Sequence, residues 1–187
     1  MKIVLNGCYG GFDLSYEAMV LYWHAKNRDL YFYREISAYD GHSTVHKYER
    51  ISLADIQNQT KLNRYTGYIY CTTEDQGKLL DHFPEHVVKD RDIDRTDPIL
   101  VSVVETMGSQ AASGRFASLY VKEIPDGTQY KIDNYDGFEE LIIKDDDIWQ
   151  TATFQYQSMQ TKCKIASMWN LIKPEATPDP DLTLKDK

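Results

Sequence analysis

Residues Lys2–Met19 read KIVLNGCYGGFDLSYEAM. The first five, Lys2–Asn6, are a short apolar run of the kind that forms a buried strand. Ser15 is a good N-cap with Glu17 in the first turn, so a helix is predicted through YEAMVLYWHAKN. A plain connection between strand and helix needs only a turn and a cap. This one holds Asn6, Gly7, Cys8, Tyr9, Gly10, Gly11 and Phe12, and three glycines in five positions predict at least one at positive φ.

Beyond the helix, LYFYREI (Leu30–Ile36) and VHKYERI (Val45–Ile51) read as paired strands around a YDGHS turn. SLADIQNQT predicts a short helix capped by Ser52, and YIYCTT (Tyr68–Thr73) another strand. Thr73 can cap a weak helix in EDQGKLLDHF, with Gly77 inside it. KDRDIDRT (Lys89–Thr96) has the charge density of a solvated loop. Asp97 then caps PILVSVVETM, Pro98 occupies its first position and Gly108 closes it. RFASLYVKEI, TQYKIDNY and FEELIIK are separated by PDG and DG, which predicts a three-stranded antiparallel meander turning at Asp126-Gly127 and Asp136-Gly137. SMQTKCKIASMWNLI has helical spacing.

The fold expected from this order is α+β. It would have a mixed or mostly antiparallel sheet, a C-terminal three-stranded meander and two or three covering helices. One domain is expected over residues 1–172, with a flexible polar tail over 173–187 that carries three prolines. A chain of 187 residues buries a sizeable core without disulfides or metals.

The formal charge is −8, from 29 acidic and 21 basic residues. Strong binding to bare DNA is therefore not expected, because each phosphate contact needs a cation. Acidic chains bind basic proteins, compete with nucleic acid for basic grooves, or are merely soluble. The 14 tyrosines suit half-wet interfaces and equally suit exposed sheet faces. Cys8, Cys71 and Cys163 lie far apart without C-x-x-C spacing, so no structural zinc is expected. His82 and His86 stand four apart with Pro84 between them, and no metal is expected there either. The first residues lack the basic and long apolar regions of a signal peptide, and no run is long enough to cross a membrane. A cytoplasmic protein with reduced thiols is the expectation.

At the end of a strand and the start of a helix, the glycine loop resembles places where backbone N–H groups receive an anion. A ligand-binding set of Asn6, Tyr9, Gly10, Gly11, Phe12, Ser15 and Arg115 follows, with an aromatic ring stacking on a small nucleotide-like ligand. The glycines equally permit a sharp backbone path beneath the sheet. GCYGG lacks the spacing of a dinucleotide fingerprint, and no G-K-S/T makes it a P-loop. Cys8 is a catalytic candidate if the helix terminus stabilises its thiolate, against the reading of an inert buried thiol. Arg115 is an anion-binding and catalytic candidate. Glu123 and Asp133, with Glu139, supply carboxylates for hydrolysis, although their spacing alone does not bring them together. No cofactor is called for.

KIVLNGCYGGFDLS (Lys2–Ser15) resembles the opening of a family of small, mostly uncharacterised bacteriophage and prophage proteins. DRTDPILVSVVETMGSQAASGRFASLYVKEIPDGTQYKIDNYDG (Asp94–Gly137) is similar to that family's C-terminal half. The two blocks span roughly a third of the chain. The family's basic HR-x-W ending is replaced here by IIKDDDIW, which leaves the role of such an end without a counterpart. The resemblance implies a phage product working in the host bacterial cytoplasm, of the host-takeover or anti-defence kind. The specific activity it suggests is anti-CRISPR inhibition of a Cas9–guide RNA complex by binding, with guide-RNA cleavage as a variant. The charge agrees, since guided nucleases hold nucleic acid in basic channels. The alternative is a protein that binds or processes a small nucleotide through the glycine loop.

Overall fold

The computed structural model describes residues 1–39, 44–61, 68–72, 77–143, 150–151 and 159–174. In chain order the elements begin with β1 (Lys2–Asn6), α1 (Tyr16–Ala25), β2 (Tyr31–Tyr39), β3 (Thr44–Ile51), α2 (Leu53–Lys61) and β4 (Tyr68–Cys71). Then come β5 (Leu79–Leu80), β6 (Val87–Val88), a 3-10 turn (Asp90–Asp92), α3 (Pro98–Met107) and α4 (Ser109–Ala112). The chain continues through β7 (Leu119–Glu123), β8 (Gln129–Tyr135), β9 (Phe138–Ile143), β10 (Gln150–Thr151) and α5 (Met159–Ile172). The fold is α+β, and every strand pairing is antiparallel.

The predicted caps form. Ser15 Oγ accepts the Ala18 N–H at 3.1 Å, and the Asp97 carboxylate accepts that of Ile99 at 2.8 Å. Ser52 Oγ accepts the Asp55 N–H at the start of α2. Gly108 ends α3 at φ +79. α1 and α3 are joined through that cap, because Tyr22 and Lys26 both reach the Asp97 carboxylate. Burial raises the Asp97 pKa, but these bonds outweigh it and hold the carboxyl below its ordinary value.

The ribbon of β1 and β7 lies in the middle of the molecule. Val4 and Leu119 face the helices, among Leu14, Leu21, Leu100 and Ile165. Ile3 and Leu5 face the other way, onto Tyr130 and Leu141 of the β8–β9 hairpin. β1 is thus covered on both sides, and Ile3, Val4 and Leu5 are each fully buried. Each such side chain contributes about 1.5–3 kcal/mol.

This layering corrects the predicted meander. β7 does not pair with β8. It pairs with β1, from Lys2↔Glu123 to Asn6↔Leu119, and only β8 and β9 form a hairpin. The main chain of Ile124 exchanges both hydrogen bonds with Met1, which closes the ribbon. Pro125 then supplies no N–H, and a turn to Thr128 sends the chain into the next layer. Had β8 stayed beside β7, Ile3 and Leu5 would have faced water.

The remaining strands make a five-stranded sheet, ordered β5-β3-β2-β4-β6. β2 and β3 pair from Phe32↔Ile51 to Tyr39↔Thr44, as the sequence predicts, while the turn residues 40–43 lie outside the described residues. Tyr16 of α1 packs edge-on against Phe32 and Tyr68 of this sheet. The helix predicted over Glu74–Phe83 is corrected to strand at Leu79–Leu80. Gly77 has φ +75, and Leu80 is buried with Tyr33, Tyr48 and Cys71. The polar tail beyond Pro174 and the link 144–149 lie outside the described residues. Among the described residues no helix is long and apolar enough to cross a membrane.

Candidate functional site

Asn6 ends β1 with no exposed surface. Its Nδ2 donates to the carbonyls of Cys8 (2.8 Å) and Gly137 (2.7 Å), and its Oδ1 accepts the Ser118 N–H at 2.8 Å. Only an amide side chain combines two donors with an acceptor in this way. Asn6 therefore ties three segments that are remote in sequence: its own loop, the stretch leading into β7, and the β8–β9 turn.

The glycines serve the same junction. Gly10 and Gly11 have φ +153 and +94, so the expectation of positive φ holds. A Cβ on Gly10 would stand 2.2 Å from the Phe116 carbonyl oxygen, and one on Gly137 would stand 2.2 Å from Gly11 N. Asp136 and Gly137 both have positive φ, the signature of a two-residue type I′ hairpin turn. That turn presses against the glycine loop, backbone to backbone.

Beneath the loop lies an ion pair. Arg95 Nη2 donates to Glu139 Oε1 at 3.0 Å, with side-chain exposures of 17% and 3%. The other carboxylate oxygen, Oε2, accepts the Asn6 N–H at 2.9 Å. The Arg95 carbonyl accepts the Val4 N–H, so this pair also completes the outer edge of β1. The guanidinium carbon stands 3.1 Å from the centre of the Phe12 ring, a cation–π contact. Burial lowers the Arg95 pKa, and the charges of Glu139, Asp90 and Asp94 oppose that. The segment Lys89–Thr96, expected to be a solvated loop, thus supplies a core side chain (Ile93) and a buried guanidinium. Charge density concealed this, because a buried charged residue looks like an exposed one until its partner is placed.

A second polar contact lies next to the first. Asp13 and Asp90 come close where Asp90 Oδ2 accepts the N–H of Leu14, the residue after Asp13. Burial, followed by the bond and charge of Asp90, pushes the Asp13 pKa up to about 7. Asp90 accepts the N–H groups of Leu14 and Arg91.

The other sequence candidates separate. Phe12 lies under Arg95, and Ser15 Oγ donates to the Ala111 carbonyl. Cys8 is half-buried, and its thiol donates to the Phe116 carbonyl at 3.2 Å. The Arg115 guanidinium lies 5.3 Å from the Phe116 ring. Cys8 and Arg115 thus share the loop end. Glu123 sits opposite Lys2, four residues and about 13 Å along the ribbon from Leu119. Asp133 is on the outer face of β8, opposite Glu140. Among the described residues no three His, Cys, Asp or Glu side chains are grouped to hold a metal. A surface groove of about 440 Å³, lined by Met1, Glu123, Ile124, Pro125 and Asp126, lies at the end of the ribbon away from the glycine loop.

One surface stands out. The outer face of the β8–β9 hairpin carries Tyr135, Phe138 and Ile142, and Tyr9 extends it with its ring 5.7 Å from that of Phe138. Tyr135 is 75% exposed and Tyr9 68%. Asp133 and Glu140 face each other directly on the same face, with Lys131 beside them. Like charges opposite one another cost stability. Tyr120 lies close by, its hydroxyl pKa raised by burial and then by Glu140 and Glu139.

Gly137, Asp90 and Arg95 were not legible as site residues. Glu139 carried a signal beyond its carboxylate, since it shares the core-facing side of β9 with Leu141. Residues 6–15, 94–97, 113–118 and 136–137, remote in sequence, meet at this junction. No protein-family model, curated protein or solved structure matches this chain.

Proposed function

We propose that the protein is a binding module whose outer hairpin face docks on a basic surface of a host ribonucleoprotein. The observation that carries this reading is the exposed Tyr9, Tyr135 and Ile142 with the half-buried Phe138, placed around the opposed acids Asp133 and Glu140. Aromatic side chains are the enriched anchors of interface hot spots. The opposed acids, with Lys131 beside them, would gain from a cationic partner. The net charge of −8 acts in the same direction. With the resemblance to phage proteins, the finer reading is an anti-CRISPR protein that occupies the nucleic-acid channel of a Cas9–guide RNA complex. The small-nucleotide reading has less support, because Gly10, Gly11 and Gly137 turn their backbones toward neighbouring chain segments.

The test mixes the protein with a reconstituted Cas9–guide complex and follows binding, DNA cleavage and guide length at several salt concentrations. Inhibition with intact guide is expected, weakening as salt screens charges beyond about 10 Å at 0.1 M. The Asp133→Lys/Glu140→Lys variant should bind at least about tenfold more weakly, the 1.4 kcal/mol equivalent of a modest charge contact. Shortened guide would replace docking by nuclease chemistry. Absence of binding, or binding indifferent to the two charge reversals, would end the docking reading.

A further inference from the structure

β9 stands at the edge of its sheet. The strand order is β10-β8-β9, and among the described residues nothing pairs with its other side. The pair next to the two-residue turn, Tyr135↔Phe138, exchanges hydrogen bonds, and bonded and unbonded pairs alternate from there. Phe138, Glu140 and Ile142 therefore bond to β8, whereas Glu139, Leu141 and Ile143 direct their N–H and C=O groups outward. A row of outward main-chain groups is a template for another strand.

The two ends of this edge differ. At the turn end the glycine loop attends it, with the Tyr9 ring against Phe138 and the Asn6 N–H on the Glu139 carboxylate. At the other end the cover runs out. Ile143 shares the inward side of β9 with the buried Glu139 and Leu141, yet it is 57% exposed, and Ile142 on the outward side is 37% exposed. Native edges are commonly blunted by lysine, proline or a bulge. Glu140 to Ile143 hold neither lysine nor proline, and their register with β8 is unbroken.

Charge indicates what kind of strand fits. An added strand places every second side chain on the outward face. The one opposite Glu140 meets two carboxylates, because Glu140 already faces Asp133. A lysine or arginine is favoured there and an acid is rejected. Two residues along, the added strand meets the exposed Ile142, which favours an apolar side chain. A second copy of β9, paired antiparallel within Phe138–Ile143, sets Glu140 against Glu140 or against Ile142 and brings no cation in either register.

We infer that the Leu141–Ile143 edge of β9 accepts an extended segment of the partner protein as a further strand, with a lysine or arginine opposite Glu140 and an apolar residue opposite Ile142. This rests on the docking reading and makes its basic element a polypeptide strand rather than a nucleic acid or a folded surface. Main-chain hydrogen bonds hold such a strand, and its alternate side chains give the choice of partner.

The probe is the capped peptide Thr-Val-Thr-Lys-Thr-Val-Thr, in which the lysine and valines share one face of a strand. It is titrated into the full chain, and amide hydrogen exchange is read at Leu141 and Ile143. At twice the dissociation constant, protection of these two amides should rise about threefold, with Val101 in α3 unchanged as the control. Exchanging the peptide lysine for glutamate should weaken binding at least about tenfold. Two further peptides are N-methylated at alternate amides, one at the threonines and one at the lysine and valines. Only one of these sets faces β9, so one peptide should bind and the other should not. No rise in protection up to about 10 mM peptide, or equal binding of both methylated peptides, would overturn strand addition. So would a dimer of the free protein in which the two amides are already protected, since a second copy would then own the edge. Binding to the Cas9–guide complex that leaves Leu141 and Ile143 unprotected would keep the docking reading and remove the added strand. Peptide-induced protection in a protein that binds no such complex would uphold the strand and remove the docking reading.

Discussion

Replacing Gly137 by alanine tests whether the glycine loop and the hairpin turn press on one another. At φ +88 the new side chain brings about 1–2 kcal/mol of left-handed strain. Its Cβ would stand 2.2 Å from Gly11 N, 2.7 Å from Gly11 Cα and 2.9 Å from Gly10 N. These are backbone atoms, which cannot swing aside as the end of a side chain can. Separating the two turns adds the cost of overpacking, about 1–3 kcal/mol. It also pulls the Gly137 carbonyl from Asn6 Nδ2, now 2.7 Å away. The expected loss is about 2–5 kcal/mol in all. Gly127 is the control, at φ +82 with nothing within 4 Å of its hypothetical Cβ. Gly127→Ala should show the strain alone, about 1–2 kcal/mol. Guanidinium denaturation of both variants, with unchanged slopes, measures the difference. Equal losses would mean that the loop and the turn do not press on each other, and the account of these glycines would be wrong.

Arg95→Met strands the buried Glu139 carboxylate and should cost about 3–5 kcal/mol; adding Glu139→Gln should recover at least about 1 kcal/mol, and additive losses in the double-mutant cycle would contradict the pairing. Asn6→Ala leaves the Ser118 N–H and two carbonyls without their partner, an expected loss of about 2–4 kcal/mol by denaturation; a loss under about 0.5 kcal/mol would show that the segments hold without it. The folded pKa of Asp13 is raised, so its effect on stability is most favourable below about pH 4 and declines as pH rises to about 7. The full shift of about three units corresponds to about 4 kcal/mol, which partial exposure of the side chain reduces to about 1–2 kcal/mol. Asp13→Asn should therefore be the more stable protein at pH 8 and lose that advantage toward pH 4 in thermal melts; the same difference at both pH values would refute the shift.

Local signals in this sequence were read correctly where their causes are local. Ser15, Ser52 and Asp97 cap helices because a side-chain oxygen meets an amide two or three residues away. Asp136-Gly137 turns a hairpin because two neighbouring residues accept positive φ. The partner of β7 was not readable in that way. PDG between two apolar strands looks the same whether the chain folds back in its own sheet or crosses to another layer. The choice depended on Ile3 and Leu5, more than a hundred residues earlier, needing cover. The site shared that limit. Gly10 and Gly11 announced an unusual backbone path, but the segments that required it, Phe116 and Gly137, could be named only once the chain was folded. Arg95 resembled every other charge in Lys89–Thr96 until Glu139 lay beside it.

The placement of β1 also sets an order of events during synthesis. Asn6 pairs opposite Leu119, so more than a hundred residues must follow it before its neighbouring strand exists. At about 5–20 residues per second, this apolar segment waits on the order of 6–23 s without the partner it is built for. β2, β3 and β4 by contrast pair within about forty residues of one another and can assemble first. β1 is therefore among the last strands to be enclosed. In the interval Ile3, Val4 and Leu5 are open to chaperones and to other chains, so expression should respond to chaperone supply more strongly than the stability of the finished protein suggests.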